Sequence, residues 1–407
     1  MRVFRYRVVF LIAIAYTNVV HADDRGTRAA IISQPEEKTR RIYWDDGLQF
    51  VSATGLFRVK LGGQAQIDTA GFAGVDDTEG FENGIEWRRA RLYTLGEIGT
   101  RWSFKFQWDL AATESPRLTD AFLQYSMKPF GRSIRLRGGR FSSTFGLEND
   151  GSANDNLFME QGLTSVLLPP QETGFLVHSE SSDRRWDLGF TSGAGAGRCL
   201  LCDVTGVTGR YTMAFALGTE SRILHVGGDY SRRWTDDEVS FGERPESHIA
   251  PRVVDTGSFS SERVDVGLIE AALLSGPFSL QTELGAMHIK RPDSMSTTFY
   301  AFYVFGSYAL TGEMRQYREN LGTFRRIQPS RPLRSGGGGL GAFELAFRFS
   351  RVDLNDQEIQ GGALNDVTLG LNWYPTRPTR IAVNIIRGNR QDWDPFWIFQ
   401  FRLQLAY

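Results

Sequence analysis

The stretch that decides the fold is Pro395 to Tyr407, PFWIFQFRLQLAY. Phe399, Phe401, Leu403, Leu405 and Tyr407 fall on one side of a strand, and Gln400, Arg402 and Gln404 fall on the other. A soluble sheet also alternates, but here the apolar side is built of large residues and the chain stops on an aromatic. This pattern suits a strand with lipid on one side and water on the other. Strands cross a bilayer only as a closed barrel, because hydrocarbon leaves no partner for a free backbone group.

The same alternation recurs along the chain. Residues 55–70 place Phe57, Val59 and Leu61 opposite Arg58 and Lys60, and residues 101–110 place Trp102, Phe104, Phe106 and Trp108 opposite Lys105 and Asp109. About sixteen segments have the length and period of tilted membrane strands. Residues 262–275 and 297–312 are ambiguous, because both of their faces carry apolar residues. The sequence therefore predicts an all-β, transmembrane antiparallel barrel over residues 55–407, rather than a secreted β-sandwich or solenoid.

The N-terminus predicts export. Arg2, Arg5 and Arg7 precede an apolar stretch over residues 8–20, and small residues near Ala22 suit signal peptidase. We interpret residues 1–22 as a signal peptide and residues 23–54 as a periplasmic extension, with a short strand near 47–53. No later stretch approaches eighteen uninterrupted apolar residues.

Connections between the strands alternate in length. Short ones, such as 99–100 and 218–219, resemble periplasmic turns, and long polar ones at 71–83, 142–171, 233–261, 354–363 and 387–396 resemble extracellular loops. Residues 313–340 form a long connection where a short turn is expected.

Charge and cysteine content exclude several functions. There are 46 basic and 47 acidic residues, so no global basic field indicates nucleic acid. Cys199 and Cys202 form a CxxC, which in an exported chain favours a local disulfide over a redox pair or half a zinc site. The five histidines are scattered, and no metal-ligand spacing, cofactor motif or phosphate-binding glycine loop is present. We expect no enzyme activity, metal or cofactor.

Basic residues concentrate on the inward positions of the N-terminal third. Because a lipid-facing Arg at mid-bilayer costs about 2–4 kcal/mol, these groups are expected in the lumen. Such residues either tie the wall to an infolded loop or form stepwise anion sites, and the set as a whole favours anion sites. The expected inward residues are Arg58, Lys60, Arg89, Arg91, Lys105, Arg135 and Arg137, while Arg88 and Arg140 are expected at a girdle or beside a loop.

Eight short stretches resemble the phosphate-selective porins O and P of Gram-negative outer membranes. They are VKLGG (59–63), RRARL (88–92), FKFQWDL (104–110), DAFLQY (120–125), GRFSSTFGLE (139–148), LTGE (310–313), GAFEL (341–345) and LGLNWY (369–374). The resemblance implies a sixteen-stranded homotrimeric barrel in the outer-membrane lipid, whose third extracellular loop folds into the pore. It also implies anion uptake, of phosphate or polyphosphate, along a ladder of Arg and Lys.

On this resemblance the family's paired arginines fall on Arg88 and Arg89, and its loop entry falls on Gly139, Arg140 and Phe141. Where selective members carry Lys after GLE, this chain has Asn149, Asp150 and Asp155 beside Glu148, and these four are the expected constriction residues. The expected function is passive diffusion of small hydrophilic solutes, with anions preferred. The alternatives are a weakly selective general porin and a non-conducting structural or adhesive barrel.

Overall fold

The computed structural model describes residues 41–75, 79–111, 116–169, 171–192, 206–219, 221–235, 238–318, 321–334 and 337–407. The main sheet of these residues has 18 strands: two from an N-terminal hairpin and sixteen that close into an antiparallel barrel. Closure comes from pairing of the last barrel strand with the first, with Phe401 opposite Thr69. The predicted barrel of about sixteen strands is confirmed.

The barrel strands have the following bounds. The first eight are β1 Phe57–Ala73, β2 Gly84–Ile98, β3 Trp102–Asp109, β4 Arg117–Met127, β5 Ser133–Phe141, β6 Glu172–Glu180, β7 Arg184–Ser192 and β8 Gly206–Ala216. The second eight are β9 Arg222–Trp234, β10 Arg263–Ser275, β11 Phe278–Lys290, β12 Thr297–Ala309, β13 Ala342–Asp356, β14 Ile359–Tyr374, β15 Thr379–Arg390 and β16 Phe396–Ala406.

Short elements occupy the ends and connections. The N-terminal hairpin pairs Arg41–Trp44 with Leu48–Val51, and its second strand pairs with the part of β1 that lies beyond the end of β16. A strand near 47–53 was expected, but its partner at 41–44 was not. The remaining elements are one helical turn (Leu147–Asp150), two 3-10 turns (Pro129–Gly131 and Leu163–Leu167) and the strands Glu238–Val239, Gly242–Glu243, Val254–Asp255, Phe259–Ser260, Gln316–Arg318 and Thr323–Arg325. None of the helices among the described residues is long and apolar enough to cross a membrane.

The terminal strand behaves as its sequence predicts. Phe399 is 50% exposed on the outside of the barrel, whereas Arg402 on the inside is fully buried. Outward positions of the other strands are likewise apolar and exposed, with Trp102, Phe106 and Trp108 on β3 as examples. The outer surface therefore offers apolar side chains to lipid, while polar side chains face inward.

The two ambiguous strands have an apolar inner face for a structural reason. Val264, Val266 and Leu268 of β10 and Phe299 of β12 point inward and are buried. They belong to a hydrophobic core inside the barrel, which includes Phe145, Leu163, Leu167, Val253 and Phe259 from residues 142–171 and 235–262. Side chains of β10 and β12 alternate between the two faces, but polar and apolar residues do not, because the inner faces of these strands contact apolar loop residues instead of water.

Two long connections contact the inner wall. Residues 142–171 (loop 142–171) join β5 to β6, and residues 310–341 (connection 310–341) join β12 to β13. From opposite ends of the strands they reach one another, because the Arg326 backbone N–H donates to Asp155 at 3.3 Å. The long connection predicted at 313–340 is present.

Candidate functional site

Two adjoining cavities lie inside the barrel against β2. The larger cavity, about 450 Å³, is lined by Arg88, Arg89, Arg91, Gln107, Arg117, Thr119, Ser142, Ser143, Glu148, Asn149, Gly151, Ala153, Asn156, Gln161, Pro169, Gln171 and His248. The smaller cavity, about 320 Å³, is lined by Arg88, Arg89, Glu160, Gln161, Ser165, Gly242, Glu243, Arg244, Glu246, Ser247, His248 and Arg252. Arg88 and Arg89 line both, so the two cavities meet at this pair of arginines.

A β-bulge brings these consecutive arginines to the same side of the wall. On β1, Gln66 pairs with Arg89 and Ile67 pairs with Trp87, which leaves Arg88 as the extra residue. Trp87 remains outside and is 58% exposed. A bulge places one more residue on its strand than on the partner and so breaks the strict alternation. Arg88 thus lies beside loop 142–171. The sequence had predicted a position either at a girdle or beside a loop.

A second bulge borders the larger cavity. Gln107 of β3 pairs with Asp120, and Trp108 pairs with Leu118, so Thr119 is the extra residue. Thr119 is buried and donates to the Gln107 carbonyl at 3.2 Å. Both bulges therefore lie at the wall of one cavity.

Six of the nine predicted anion-path residues have a carboxylate partner. The pairs are Arg88–Glu160 at 2.8 Å, Arg91–Asp109 at 2.8 Å, Lys105–Asp120 at 3.1 Å, Lys60–Asp46 at 3.2 Å, Arg58–Glu97 at 3.9 Å and the close pair Arg135–Glu180. Asp46 lies in the N-terminal hairpin. Most of the positive charge predicted for the lumen is therefore compensated locally.

The other three have neutral partners. Arg89 donates to the Gln66 side-chain oxygen at 2.7 Å, and Arg140 donates to the Leu118 carbonyl at 3.1 Å. Arg137 donates to Gln124 at 3.0 Å and lies 4.2 Å from the centre of the Phe122 ring. The hydrogen-bond partners of these three guanidinium groups among the described residues are therefore uncharged. Arg89 alone among them lines the cavities.

Glu148 and Asp150 of loop 142–171 are paired with wall residues, and Asp155 is paired with connection 310–341. Glu148 lies 3.3 Å from Arg348, Asp150 lies 2.7 Å from Arg210, and Asp155 accepts the Arg326 N–H. Asn149 donates to the carbonyls of Ser143 and Phe145. Burial raises the pKa of the Glu148 carboxyl, although Arg348 and the Gly162 N–H oppose the shift. Of the four expected constriction residues, Glu148 and Asn149 line the larger cavity.

Glu160, which the sequence did not single out, lies between two arginines. Its two oxygens accept from the Nε and Nη2 atoms of Arg88, both at 2.8 Å, and one also accepts from Arg402 at 2.8 Å. Burial disfavours the charged form, but Arg88, Arg89 and Arg402 outweigh it and hold the pKa of Glu160 well below its usual range. Glu160 is therefore a fixed negative charge at the junction of the cavities.

Glu243, in residues 235–262, differs from Glu160 in its partners, which are a hydroxyl and a backbone N–H instead of arginine side chains. It accepts from the Ser165 hydroxyl at 2.7 Å and from the Arg244 N–H at 2.9 Å. Burial raises the pKa of Glu243 to about 7, against those hydrogen bonds and the charge of Arg252. Its charge therefore changes near neutral pH.

Three fully buried arginines on β13, β15 and β16 hold the backbone of loop 142–171. Arg348 donates to the Glu160 carbonyl at 3.1 Å, Arg380 to that of Asn156 at 2.6 Å and Arg402 to that of Met159 at 2.5 Å. Alternation predicted that Arg402 points inward. Its loop partners are more than 200 residues away in sequence, and no local signal identifies them.

Residues suited to other chemistry are dispersed. The described histidines contact separate partners: His178 with Asp187, His225 with Glu270, His248 with Glu86 and His288 with Thr298. No group of three or more metal-ligating side chains occurs in the described part of the chain. Cys199 and Cys202 lie outside the described residues, as does the predicted signal peptide at 1–22.

A closed antiparallel barrel with an apolar exterior, a charged interior and inward loop contacts is the architecture of an outer-membrane porin. The sequence pattern of the family phosphate-selective porin O and P matches residues 59–404. The chain belongs to this family, and the resemblance inferred from its short motifs is confirmed.

Two relatives resemble this chain in sequence, and two solved structures share its fold. Porin O of Pseudomonas aeruginosa is 25% identical over 385 residues, covering 84% of this chain and 85% of its own. An uncharacterized protein of Caulobacter vibrioides is 28% identical over 373 residues, covering 86% and 72%. An anion-selective porin from Comamonas acidovorans shares the fold, with TM-score 0.55, 11% identity and coverage of 86% and 100%. A trimer form of OmpT of Vibrio cholerae has TM-score 0.53, 9% identity and coverage of 86% and 99%. The protein is an outer-membrane porin, a channel by fold and family.

Proposed function

We propose that the protein lets small anions diffuse passively through the two cavities, along the inner face of β2 to β5, and that it catalyses no reaction. The observation that carries this proposal is Arg89, a guanidinium that lines both cavities without a carboxylate partner among the described residues. Weak attraction at such a site concentrates anions without trapping them. The family's description as phosphate-selective supports phosphate as one solute.

Loop 142–171 narrows this path in the proposal. Its residues Glu148, Asn149 and Gln161 line the larger cavity opposite Arg88 and Arg91, while its backbone is attached to β13, β15 and β16. The path continues toward a cavity of about 640 Å³ at the end of the barrel where short turns join the strands. Its lining includes Lys128, Arg135, Glu180 and Arg318. Arg318 belongs to connection 310–341 and is a basic residue that the sequence analysis did not assign to the path.

The test is reversal potential across a planar bilayer with a potassium chloride gradient, using purified full-length protein. An anion path gives a reversal potential of the sign set by chloride, and added phosphate lowers the chloride current. Lack of anion preference would favour the general porin, which the six compensated basic residues make the second candidate. A barrel with no stepwise conductance would contradict the proposal and indicate a structural or adhesive role.

Assembly as a homotrimer in outer-membrane lipid is also proposed. The trimer form of OmpT, whose fold this chain shares, supports it. Chemical cross-linking of the protein in native membranes should give a ladder that ends at three subunits. A ladder that ends at one or two subunits would contradict the proposed assembly.

A further inference from the structure

The junction of the two cavities carries less positive charge than its arginines imply. Arg88, Arg89 and Arg402 meet there, but Glu160 lies between Arg88 and Arg402, and Asp68 binds Arg402 through both of its oxygens at 2.7 and 2.6 Å. These two carboxylates balance two of the three guanidinium groups. The three guanidinium and two carboxylate groups together carry a net charge of +1, and Arg89 is the guanidinium among them that forms no close ion pair with a described carboxylate.

The geometry of Arg89 leaves it available to a solute. The side chain lines both cavities, and one terminal nitrogen donates to Gln66. The Nε atom is buried out of reach of a solute, so the other terminal nitrogen, which donates to no described acceptor, is the one that a solute can contact. By contrast, Arg88 presents its Nε and one terminal nitrogen to Glu160 in a bidentate pair. Such a fork is the arrangement with which an arginine would otherwise hold a phosphate, so Glu160 occupies the donors that a polyanion would need.

We infer that Glu160 is a specificity-determining residue, which limits the junction to small anions of low charge by occupying Arg88. Phosphate in its singly charged form and chloride pass, while di- and polyphosphates find too few free donors to be held. This inference rests on the proposed anion path and adds the class of anion to it.

The variant that tests the inference is Glu160→Gln. Glutamine keeps the length of the side chain and an oxygen for Arg88, and Arg402 retains Asp68 and the Met159 carbonyl, so loop 142–171 stays attached. The matched control is Glu262→Gln, which removes the same charge from an exposed pair with Lys290 outside both cavities. The measurements are single-channel current in potassium chloride and its inhibition by added phosphate and pyrophosphate.

Glu160→Gln should strengthen inhibition by pyrophosphate about tenfold and by phosphate only about two- to fourfold, because Coulomb attraction scales with the charge of the solute. Glu262→Gln should leave both unchanged. Arg88→Gln should weaken anion preference, and the double variant Arg88→Gln/Glu160→Gln should return close to the wild-type values.

Three outcomes are distinguishable. An anion-selective wild type whose pyrophosphate inhibition is unaffected by Glu160→Gln would overturn the inference and leave the proposed function standing. Equal effects of Glu160→Gln and Glu262→Gln would also overturn it, since the effect would then be one of net charge. A wild type without anion preference would contradict the proposed function itself.

Discussion

Arginines on two parts of the inner wall of the barrel all point inward but have different surroundings. On β2, Arg88 and Arg89 line open cavities and have partly exposed side chains. On β13, β15 and β16, Arg348, Arg380 and Arg402 are fully buried and donate to loop carbonyls. The loop packed against a strand therefore decides whether an inward arginine lines a cavity or is enclosed by protein.

The buried arginines fit the interpretation in which an inward arginine ties the wall to a loop, and so does Arg88 through Glu160. The interpretation as an anion site stays a prediction, for which Arg89 is the candidate. Arginines of β13, β15 and β16 hold the backbone of loop 142–171, whereas those of β2 and β8 pair with its carboxylates and the larger cavity stays open beside β2. Substitutions on the two parts of the wall should therefore separate effects on stability from effects on conduction.

The largest effect is expected from Arg402→Met. The change leaves Asp68 buried without its bidentate partner and removes one of the two partners of Glu160. Breaking a buried ion pair from one side costs about 3–5 kcal/mol. The midpoint of thermal loss of the β circular-dichroism signal in detergent should fall accordingly.

The control for this substitution is Arg387→Met, which removes an outward arginine that lies 5.5 Å from the centre of the Trp397 ring. It should shift the midpoint far less. Equal shifts for the two variants would mean that attachment of loop 142–171 contributes nothing particular to stability.

Arg89→Gln should act on conduction instead. The Coulomb attraction between the Arg89 charge and an anion a few ångströms away in water is about 1 kcal/mol. Its loss corresponds to roughly a fivefold fall in the ratio of chloride to potassium permeability. Reversal potential measures this loss, and the thermal midpoint should stay within experimental error. A large drop in stability without a change of selectivity would remove the distinction between the two parts of the wall.

A smaller effect should come from pH. With a pKa of about 7, the Glu243 carboxyl is charged above neutrality and neutral below it, so anion preference should rise as the pH falls from 8 to 6. The groups around it are Ser165, the Arg244 N–H, Arg252 and Glu160. A single charge in a wet cavity should alter the permeability ratio by about twofold.

Glu243→Gln should abolish this pH dependence and give the low-pH selectivity throughout. If the variant still titrates like the wild type, the titrating group is another one, and Glu243 does not contribute to the path.

The smallest effect is expected at Arg58, which the sequence analysis placed in the anion path. Its pair with Glu97 is 3.9 Å long, and both side chains are 62% exposed. Exposed pairs contribute about 0–1 kcal/mol. Arg58→Gln should leave the thermal midpoint and the reversal potential unchanged, and a selectivity shift as large as that of Arg89→Gln would extend the conducting path to the hairpin end.

The sequence predicted the strands of the barrel wall better than the loops and side-chain contacts inside the barrel. Alternation in β1, β3 and β16 identified the lipid-facing and inward sides, because each residue's face is decided within its own strand. In β10 and β12 alternation failed where Val264 and Phe299 pack on loop residues. That interior core depends on contacts between segments distant in the chain, and no local pattern encodes them.

The same limit applies to the candidate site. The basic residues of β2 were found from their alternation and their family motif, but Glu160, 72 residues from Arg88, had no such signal. Which basic residues remain uncompensated depends on these long-range pairs. The count of inward arginines therefore overstated the positive charge that a solute meets.

The extra residue at position 88 has a genetic consequence. A regular strand can gain a lumen charge only by exchanging a residue already there, since insertion of one residue reverses every side chain beyond it. Because the bulge accommodates Arg88 as an extra residue, Trp87 still faces outward and Arg89 still pairs with Gln66. An in-frame deletion of the Arg88 codon should accordingly remove the bulge and leave β2 as a regular strand. Glu160 would then lose one of its two arginine partners. All other residues of β2 would keep the side of the barrel wall that they face now.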